Sequence, residues 1–512
     1  MNQTKREIER KYEATTETRL PDLSRVAGVS AVAHRGVSEL DAVYYDTEDL
    51  RLMAGALTLR RRTGGSDEGW HLKFPVATGI RDELREPLCD TLPHSLAGLL
   101  RSRVRDSALV PVVRLRTARD VHHLLDDGGA LLAEVSIDAV HAERLTGGSG
   151  TAAWTEIEVE LADDGDPAFL DAVERRLRKA GVRPSASLSK LSRALAETAP
   201  KRKQDKERKK GSGEQNAPLT AGDHVLAYIR RQAETIVALD PAVRRDLPDS
   251  VHQLRVATRR LRSALRTYRK ILDRNVTDPV GDELKWLAAE LGIDRDQEVL
   301  DARLRAGLAA LPRTLVLGPV RSRLRIWSAA RRGGSRRRTV AVLDGKRYLA
   351  LLESLDALLD APPLLPAASR APAQALSRAV LKEYERLATR VGHALGLPPG
   401  HDRDLALHDA RKAAKRARYA AEAARPALGK PAGRIAGRMK SVQTLLGDHQ
   451  DSVVARDALR TLAVQAHAAG EPSFTWGLLY GREEAAAAGH ERELPKLWER
   501  ASRPRLRAAL EG

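Results

Sequence analysis

The spacing of the apolar residues changes close to residue 200, and this change constrains the fold more than any other feature. Before it, short segments such as 131–140 and 154–161 alternate apolar and polar side chains. Alternation with a period of two is typical of antiparallel β-strands that bury one face. One helix is expected at 166–180, with Asp166 as its cap and Gly181 just past its end.

After residue 218, Leu and Ala recur at helical spacing, which predicts an all-helical second half. This half contains an internal repeat. The segment 252–262 (HQLRVATRRLR) resembles 408–418 (HDARKAAKRAR), and 285–296 resembles 440–451, at offsets of 156 and 155 residues. Two motifs at nearly the same offset indicate a duplicated helical unit.

A segment with almost nothing to bury separates the two halves. Residues 201–218 are rich in Lys, Arg and Glu and include Gly211, Ser212 and Gly213, so we predict a basic flexible linker there. The predicted domains are therefore 1–200 and 219–512, which gives an α+β two-domain chain.

Charge is divided unequally between the halves. Residues 1–200 carry 28 Lys and Arg against 32 Asp and Glu, a net charge of −4, whereas the whole chain carries +18. The remainder therefore carries +22. Such a basic half favours an anionic partner, and nucleic acid, an anionic membrane and polyphosphate all satisfy the requirement on charge alone.

Several classes of protein are disfavoured by composition. Cys89 is the only cysteine, which excludes an internal disulfide and a cysteine-rich zinc site. No run approaches the roughly 18 apolar residues of a membrane span. The charged start, 1–12, does not resemble a signal peptide. We therefore expect a cytoplasmic protein without a membrane partner.

Like charges share one face of several predicted strands in the first half, while the other face stays apolar. Rows of like charge repel unless counter-ions lie between them, and a closed barrel with these faces inside would provide such ions. Carboxylates would then surround a hard cation, Mg²⁺ or Mn²⁺, and arginines a polyanion. The rows are Glu7, Glu9 and Lys11; Arg60 and Arg62; Arg114 and Arg116; Glu134 and Asp138; and Glu156, Glu158 and Glu160.

A longer series of motifs follows the same order as in a known family. The series is Glu7-x-Glu9-x-Lys11, Tyr44-Tyr45-Asp46-Thr47, Leu59-Arg60-Arg61-Arg62, Trp70-His71-Leu72-Lys73, Arg81-x-Glu83-x-Arg85, Arg116-x-x-Arg119, Glu156-x-Glu158-x-Glu160 and Ser189-Lys190. Over about residues 3–195 it resembles the CYTH superfamily, the triphosphate tunnel metalloenzymes. The resemblance implies an eight-stranded antiparallel β-tunnel.

The resemblance also implies roles for individual residues. Catalytic positions would be Glu7, Glu9, Lys11 and Lys73. Substrate phosphates would be held by Lys11, Lys73, Arg60, Arg62, Arg114, Arg116, Arg119 and Lys190. The metal would be held by Glu7, Glu9, Glu156 and Glu158, with Glu134 and Asp138 in support. Which of the three arginines Arg114, Arg116 and Arg119 point inward stays open, because a period of two pairs the first two whereas the family pattern stresses the last two.

Cations form stripes along two predicted helices of the second half. Steps of three and four residues place them within one stripe roughly 80° wide, away from the apolar face. Neighbouring cations repel by a few tenths of a kcal/mol per pair, which favours a bound anion over the alternative of a solvated surface. The first stripe is His252, Arg255, Arg259, Arg262 and Arg266, and the second is His408, Arg411, Lys415 and Arg418.

These paired motifs, with the segment 474–481, resemble the CHAD domain over about residues 219–510. The resemblance implies a pair of four-helix bundles related by pseudo-symmetry. Their stripes, together with Lys285 and Lys440, would face a shared surface that binds inorganic polyphosphate. Lys415 stands where the first copy has Arg259, so a point charge replaces a forked donor there.

The leading interpretation is a divalent-metal-dependent hydrolase of inorganic triphosphate or short polyphosphate, whose helical half binds long-chain polyphosphate. The alternative is a non-catalytic polyphosphate-binding protein targeted to polyphosphate granules. A CYTH-type adenylate cyclase ranks lower because nothing in the sequence indicates an adenine pocket. Nucleic-acid binding is disfavoured because aromatic residues are only 4 % and no DNA-binding motif is present.

Overall fold

The structure is a computed structural model that describes residues 4–187, 189–199, 219–332 and 335–511. The chain divides into two compact units, 1–217 and 218–512, and each is described by itself. The predicted linker, 201–218, lies outside the described residues.

A closed antiparallel barrel forms the first unit. Its strands are β1 (Thr4–Ala14), β2 (Ala31–Asp46), β3 (Thr58–Thr63), β4 (Gly69–Ala77), β5 (Ile80–Glu86), β6 (Val110–Leu125), β7 (Leu131–Arg144) and β8 (Thr151–Leu161). They hydrogen-bond in the order β5-β4-β3-β2-β6-β7-β8-β1, and β1 also pairs with β5, which closes the sheet. The two-residue strand β9 (Arg183–Pro184) adds to β1. The predicted eight-stranded antiparallel tunnel is therefore confirmed.

Within the described part of this unit, four short helices accompany the barrel: α1 (Arg51–Ala54), α2 (His94–Val104), α3 (Ala168–Lys179) and α4 (Lys190–Glu197). Helix α3, expected from the sequence, packs buried Leu170, Val173 and Leu177 against a core that includes Ile157 and Val159 of β8. It thus covers the apolar side of strands whose other side is charged.

Helix α4 lies against side chains that share the charged face of the strands. Its buried residues Leu191, Ala194 and Leu195 belong to the same core as Tyr44 and Leu115. Ser189 caps the helix by accepting a hydrogen bond from the Ser192 amide, which fixes the first turn. Lys190, the first helical residue, is thereby set beside the charged part of the barrel interior.

The second unit is helical. Its helices are α5 (Ala221–Arg244), α6 (Ser250–Thr267), α7 (Arg274–Glu290), α8 (Gly292–Ala309), α9 (Val320–Arg332), α10 (Ser335–Asp344), α11 (Lys346–Asp360), α12 (Pro372–Gly396), α13 (His401–Ala468), α14 (Phe474–Ala501) and α15 (Pro504–Glu511). Gly429, with φ +61°, interrupts α13 between Pro426 and Pro431, so α13 consists of two helical parts.

The duplicated motifs occupy equivalent places in these helices. Helix α6 and the first part of α13 carry the cationic stripes, while their apolar faces are buried in one common core. The hydroxyl of Tyr268, which follows α6, donates a 2.9 Å hydrogen bond to the carbonyl of Ala420 in α13. The two repeats are therefore tied together through their buried faces, which leaves the cationic faces for a partner.

Among the described helices, none combines the length and the apolar character that crossing a bilayer would require.

Candidate active site and candidate polyanion surface

Cross-strand register decides which charged side chains enter the barrel. Lys11 lies opposite Glu158, Tyr44 opposite Arg60, and Arg119 opposite Asp138. Side chains of directly opposed residues lie on the same face of a sheet. The predicted site residues that line the resulting cavity are Glu7, Glu9, Lys11, Arg60, Arg62, Lys73, Arg119, Glu158 and Lys190.

Three buried carboxylates converge at one side of this cavity. Asp138, Glu156 and Glu158 each offer an oxygen, and these oxygens lie within 4.8 Å of one another. The ammonium nitrogen of Lys190 lies 2.8 Å from Asp138 Oδ2, 2.8 Å from Glu156 Oε1 and 2.5 Å from Glu158 Oε1. Burial opposes the charge of Lys190, but the three carboxylates raise its pKa well above the usual range. The nearest partners of Lys190 are thus the carboxylates.

Arg119 and Lys11 provide the remaining positive charges beside these three carboxylates. Arg119 donates to Asp138 Oδ1 at 2.9 Å and to Glu158 Oε2 at 2.7 Å, and Lys11 is paired with Glu158. Burial disfavours the charge on Glu158, yet Lys11, Lys190 and Arg119 hold the pKa of its carboxyl well below the usual range. The carboxylate is therefore ionised at neutral pH and able to attract a cation.

Glu7 and Glu9 form a second acidic group on β1. Lys73 Nζ lies 2.5 Å from Glu7 Oε2, and Lys11 Nζ lies 3.4 Å from Glu9 Oε2. Burial raises the pKa of Glu7, which Lys73 only partly offsets. Burial also disfavours the charge on Glu9, but Lys11, Lys73 and Arg81 together outweigh it and lower the pKa of Glu9. The pKa values of Glu7 and Glu9, two residues apart on the same strand, are therefore shifted in opposite directions.

The oxygen donors fit a hard divalent cation. Glu7, Glu9, Asp138, Glu156 and Glu158 are carboxylates on one enclosed face, and oxygen ligands are those that Mg²⁺ and Mn²⁺ prefer. Glu134, predicted as a supporting ligand, shares this face opposite Glu160, but among the described residues it is not one of the three carboxylates that converge. It is about one-third exposed and lies 3.3 Å from His123 Nε2.

Arginines crowd the cavity beside the carboxylates. Arg62 is paired with Asp67, and burial together with Arg60 and Arg119 lowers the pKa of its guanidinium. Within the described residues, the Nε atoms of Arg60 and Arg62 are buried without a hydrogen-bond partner. Buried donors of this kind are costly unless a ligand accepts from them, so this side of the cavity favours an anion.

The structure corrects the placement of Arg114 and Arg116. On β6 it is Val113, Leu115 and Thr117 that share the face of Arg119, because β2 pairs Tyr44 with Val113 and Ser38 with Arg119. Arg114 is half-exposed and held by Asp41, and Arg116 is exposed. Their prediction as phosphate ligands inside the tunnel is therefore wrong, and Arg119 is the β6 arginine that enters it.

The cavity is also lined by Tyr44, Arg81, Arg85 and Glu160, which belong to the quoted motifs but were not predicted as individual site residues. For Arg81, Arg85 and Glu160 the period of two was the available signal. Asp67, which pairs with Arg62, lies between β3 and β4, where no periodicity exists to identify it.

In the helical unit, each repeat pairs its first stripe arginine with an aspartate. Arg255 Nη1 lies 3.1 Å from Asp296 Oδ1, and Arg411 Nη2 lies 4.0 Å from Asp451 Oδ1.

Each of these arginines lies beside the glycine of the repeated Leu-Gly motif. A Cβ at Gly292 would meet Arg255 Nη2 at a tight 3.0 Å, whereas one at Gly447 would meet Arg411 at 3.6 Å, an ordinary van der Waals distance. Both copies therefore place an arginine next to a glycine, but only at Gly292 would an added side chain crowd the arginine.

Cations from both repeats meet around Lys415. Burial, together with Arg411 of its own repeat and Arg259 of the other, lowers the pKa of Lys415 to about 7, against the opposite effect of Asp296 and Asp451. Arg266 of the first repeat similarly faces Arg416 of the second. The two stripes thus border one surface in which like charges are held close together.

The remaining predicted cations occupy varied surroundings. His408 Nδ1 lies 2.6 Å from Gln450 Oε1, and Arg418 donates to Glu422 at 2.7 Å. Burial and the neighbouring Arg266 lower the pKa of Arg262. His252 is half-buried, whereas Lys285 and Lys440 are exposed on their helices.

The ion pairs of Lys190 generate a stability prediction. In Lys190→Met the three carboxylates lose their buried counter-charge, so we expect the free energy of unfolding to fall by about 3–5 kcal/mol. Saturating Mg²⁺ or Mn²⁺ should restore part of the loss by binding the folded state. Denaturant titrations with and without metal measure both effects. Arg114→Met, at an exposed pair, is the control and should cost about 1 kcal/mol or less. Equal losses at the two positions would contradict the assignment.

Comparison with known proteins identifies both units. The family model of the CYTH domain matches residues 5–194, and that of the CHAD domain matches residues 227–460. Two uncharacterised proteins of Mycobacterium tuberculosis, from strains CDC 1551 / Oshkosh and ATCC 25618 / H37Rv, are each 38 % identical over 504 residues. Each alignment covers 93 % of this chain and 92 % of the relative.

Two solved structures are also similar to parts of the chain. PptA from Streptomyces chartreusis is 23 % identical with a TM-score of 0.47, and covers 55 % of this chain and all of its own. The CHAD domain from the plant Ricinus communis is 25 % identical with a TM-score of 0.42, and covers 58 % of this chain and 93 % of its own. From the matched domains and the relatives of nearly full length, the chain belongs to the family of proteins that join an N-terminal CYTH domain to a C-terminal CHAD domain.

Proposed function

We propose that the CYTH domain is a divalent-metal-dependent hydrolase of inorganic triphosphate or short polyphosphate, and that the CHAD domain binds long-chain polyphosphate. The observation that carries the first part is the presence of buried carboxylates and buried arginines in one cavity. Hydrolysis of a phosphoanhydride needs both, because the substrate arrives as a metal–polyanion complex.

Different residues of the cavity would bind the phosphate and the cation. Arg60, Arg62 and Arg119 would bind the phosphate oxygens with their forked donors. The carboxylates Glu7, Glu9, Glu156 and Glu158, with Asp138, would hold the cation. A bound Mg²⁺ or Mn²⁺ supplies neutralisation of charge on the phosphate oxygens. Lys190 would keep the acidic group ordered, since its ammonium is held by three carboxylates. Water would attack the terminal phosphorus, and the anhydride bond would break to release phosphate and the shortened chain.

A non-catalytic clamp is the second candidate. It is favoured by the dense ion pairing of the carboxylates with Lys11, Lys73 and Lys190, which leaves the acidic group largely compensated without metal. Release of phosphate from inorganic triphosphate, ATP and thiamine triphosphate, measured with Mg²⁺ or Mn²⁺, distinguishes the two. Triphosphate binding without turnover would favour the clamp.

The cavity geometry predicts which substitutions remove hydrolysis. Glu9→Gln keeps the shape of the side chain but loses the charge that holds a hard cation, and Arg119→Ala removes a donor from the phosphate site. We expect turnover to fall about 100-fold or more in each. Arg116→Ala, on the same strand but exposed, is the matched control and should stay within about twofold. If Arg116→Ala lost as much activity as Arg119→Ala, the assigned inner face would be wrong.

The convergence of the two stripes supports polyphosphate binding by the CHAD domain. From His252 to Arg266 the first stripe spans about 21 Å at 1.5 Å per residue, enough for several phosphate units. Binding to such a dense polyanion should weaken steeply with salt, because counter-ions are released. Chains longer than triphosphate should therefore bind more tightly.

Charge reversal tests this surface. Arg259→Glu and Lys415→Glu should each weaken binding of long polyphosphate at least about tenfold and reduce its salt dependence, because each removes a cation from the shared surface. Arg325→Glu makes the same change on α9, which carries none of the stripe residues, and should have little effect. Titration of the full-length chain with long polyphosphate and with duplex DNA measures the outcome. Equal affinity for both polymers would favour a nucleic-acid partner instead.

Lys415 makes the proposed binding depend on pH. With a pKa of about 7 in the free protein, Lys415 loses its proton as the pH rises through neutrality. A bound polyanion favours the charged form, so binding takes up a proton above pH 7 and affinity should fall between about pH 7 and pH 9. In Lys415→Arg the guanidinium stays charged, so the fall in polyphosphate affinity with rising pH should largely vanish. Titrations of both proteins across this range decide the point, and identical pH profiles would exclude a role for Lys415.

A further inference from the structure

An unassigned group of potential metal ligands lies at the long β2–β6 ribbon of the barrel. Strand β2 pairs with β6 from Ala31 to Asp46, whereas β3 pairs with β2 only from Asp41 to Tyr45. The first part of β2 therefore has β6 as its one paired strand among the described residues. His34 lies in this part, directly opposite His122 of β6.

A β-bulge determines which way His34 faces. The register of β2 shifts between His34 and Gly36, and Gly36 has a φ of +94°, a conformation that glycine adopts without strain. Even-numbered residues of β2 such as Tyr44 face the interior, so simple alternation would also turn His34 inward. The extra residue at the bulge instead places His34 with His122, on the face of β6 opposite to that of Arg119.

Asp120 brings the two imidazoles together. It precedes His122 by two residues and so shares its face. His34 Nε2 lies 2.6 Å from Asp120 Oδ1, and His122 Nε2 lies 3.3 Å from Asp120 Oδ2. The two rings are 5.0 Å apart between centroids, and one ligand atom from each of the three residues lies within 4.8 Å of the others.

We propose that His34, Asp120 and His122 form a binding site for a divalent transition-metal ion of the Zn²⁺ class on the outer face of the barrel. Two imidazoles and one carboxylate favour Zn²⁺, Cu²⁺, Ni²⁺ or Fe²⁺ over Mg²⁺, which prefers oxygen ligands throughout. His34 is 58 % exposed, so water can reach the remaining coordination positions.

This site is separate from the acidic group inside the tunnel. Arg119 and Asp120 are adjacent on β6 and therefore project to opposite faces, and Arg119 contacts Asp138 and Glu158 inside. A bound ion would also link β2 to β6 beyond the point where β3 ends. The alternative is a hydrogen-bonded His–Asp–His group that binds no metal, and measurement of Zn²⁺ binding distinguishes this alternative from a metal site.

The test uses the full-length protein with the same excess of Mg²⁺ in every titration, so that any site of oxygen ligands contributes equally to all variants. Zn²⁺ binding is measured by competition with a chromophoric chelator. We expect wild type to bind one Zn²⁺ more than His34→Gln or His122→Gln, or to bind it at least about tenfold more tightly. His141→Gln, at an exposed histidine of β7, is the matched control and should bind as wild type does. Unchanged stoichiometry and affinity in both His34→Gln and His122→Gln would overturn the proposal.

A spectroscopic readout separates loss of ligands from loss of structure. Cu²⁺ bound at this site should show electron paramagnetic resonance couplings to imidazole nitrogens, which each substitution should weaken while the circular dichroism of the protein stays unchanged. Absence of nitrogen coupling in wild type would also refute the site. Because none of the three residues contacts the tunnel cavity in the described part of the chain, Mg²⁺-dependent phosphate release should be unchanged in all variants. The outcome is therefore independent of the function proposed for the tunnel.

Discussion

Closure of the sheet by the pairing of β1 with β5 is the constraint on which the rest of the CYTH domain depends. An open sheet would expose its charged face to water, where ion pairs contribute little. Closure instead brings Glu7 of β1 close to Lys73 of β4 and Arg85 of β5. Removing these charges from water is costly unless each is compensated, so the barrel folds only with its anions and cations matched.

The buried charges are not compensated equally on the two sides of the cavity, and this difference bears on which ligand the cavity would bind. On the acidic side Lys190, Lys11 and Arg119 together compensate Asp138, Glu156 and Glu158, whereas Lys73 only partly offsets the effect of burial on Glu7. On the basic side, Arg62 is crowded by Arg60 and Arg119. Under the proposed function, a metal–polyphosphate complex would bring a cation to the carboxylates and an anion to these arginines. Such a ligand would therefore complement both sides of the cavity.

Sequence periodicity predicted the antiparallel strands, their charged rows and the helical half, because a period of two places alternate residues on one face. The eight-stranded tunnel, with Lys73, Arg119 and Lys190 in its site, was implied by the resemblance to the CYTH superfamily. Periodicity did not decide between Arg114, Arg116 and Arg119, since a charged residue fits either face and only the pairing of β2 with β6 settles the register. It also missed Asp67, which lies in a turn. His34 was hidden for a third reason, because the bulge before Gly36 reverses the alternation on which such inference rests.

In the CHAD domain, duplication explains both the similarity and the difference between the two halves of the surface. Each repeat places an arginine beside a glycine and pairs it with an aspartate, with Gly292 and Asp296 in one copy and Gly447 and Asp451 in the other. The copies differ where the stripes meet. Where the first copy has Arg259, the second has the half-buried Lys415, whose pKa is lowered to about 7 by burial and by its cationic neighbours. The replacement of Arg by Lys at this position therefore makes the charge of the basic surface depend on pH near neutrality.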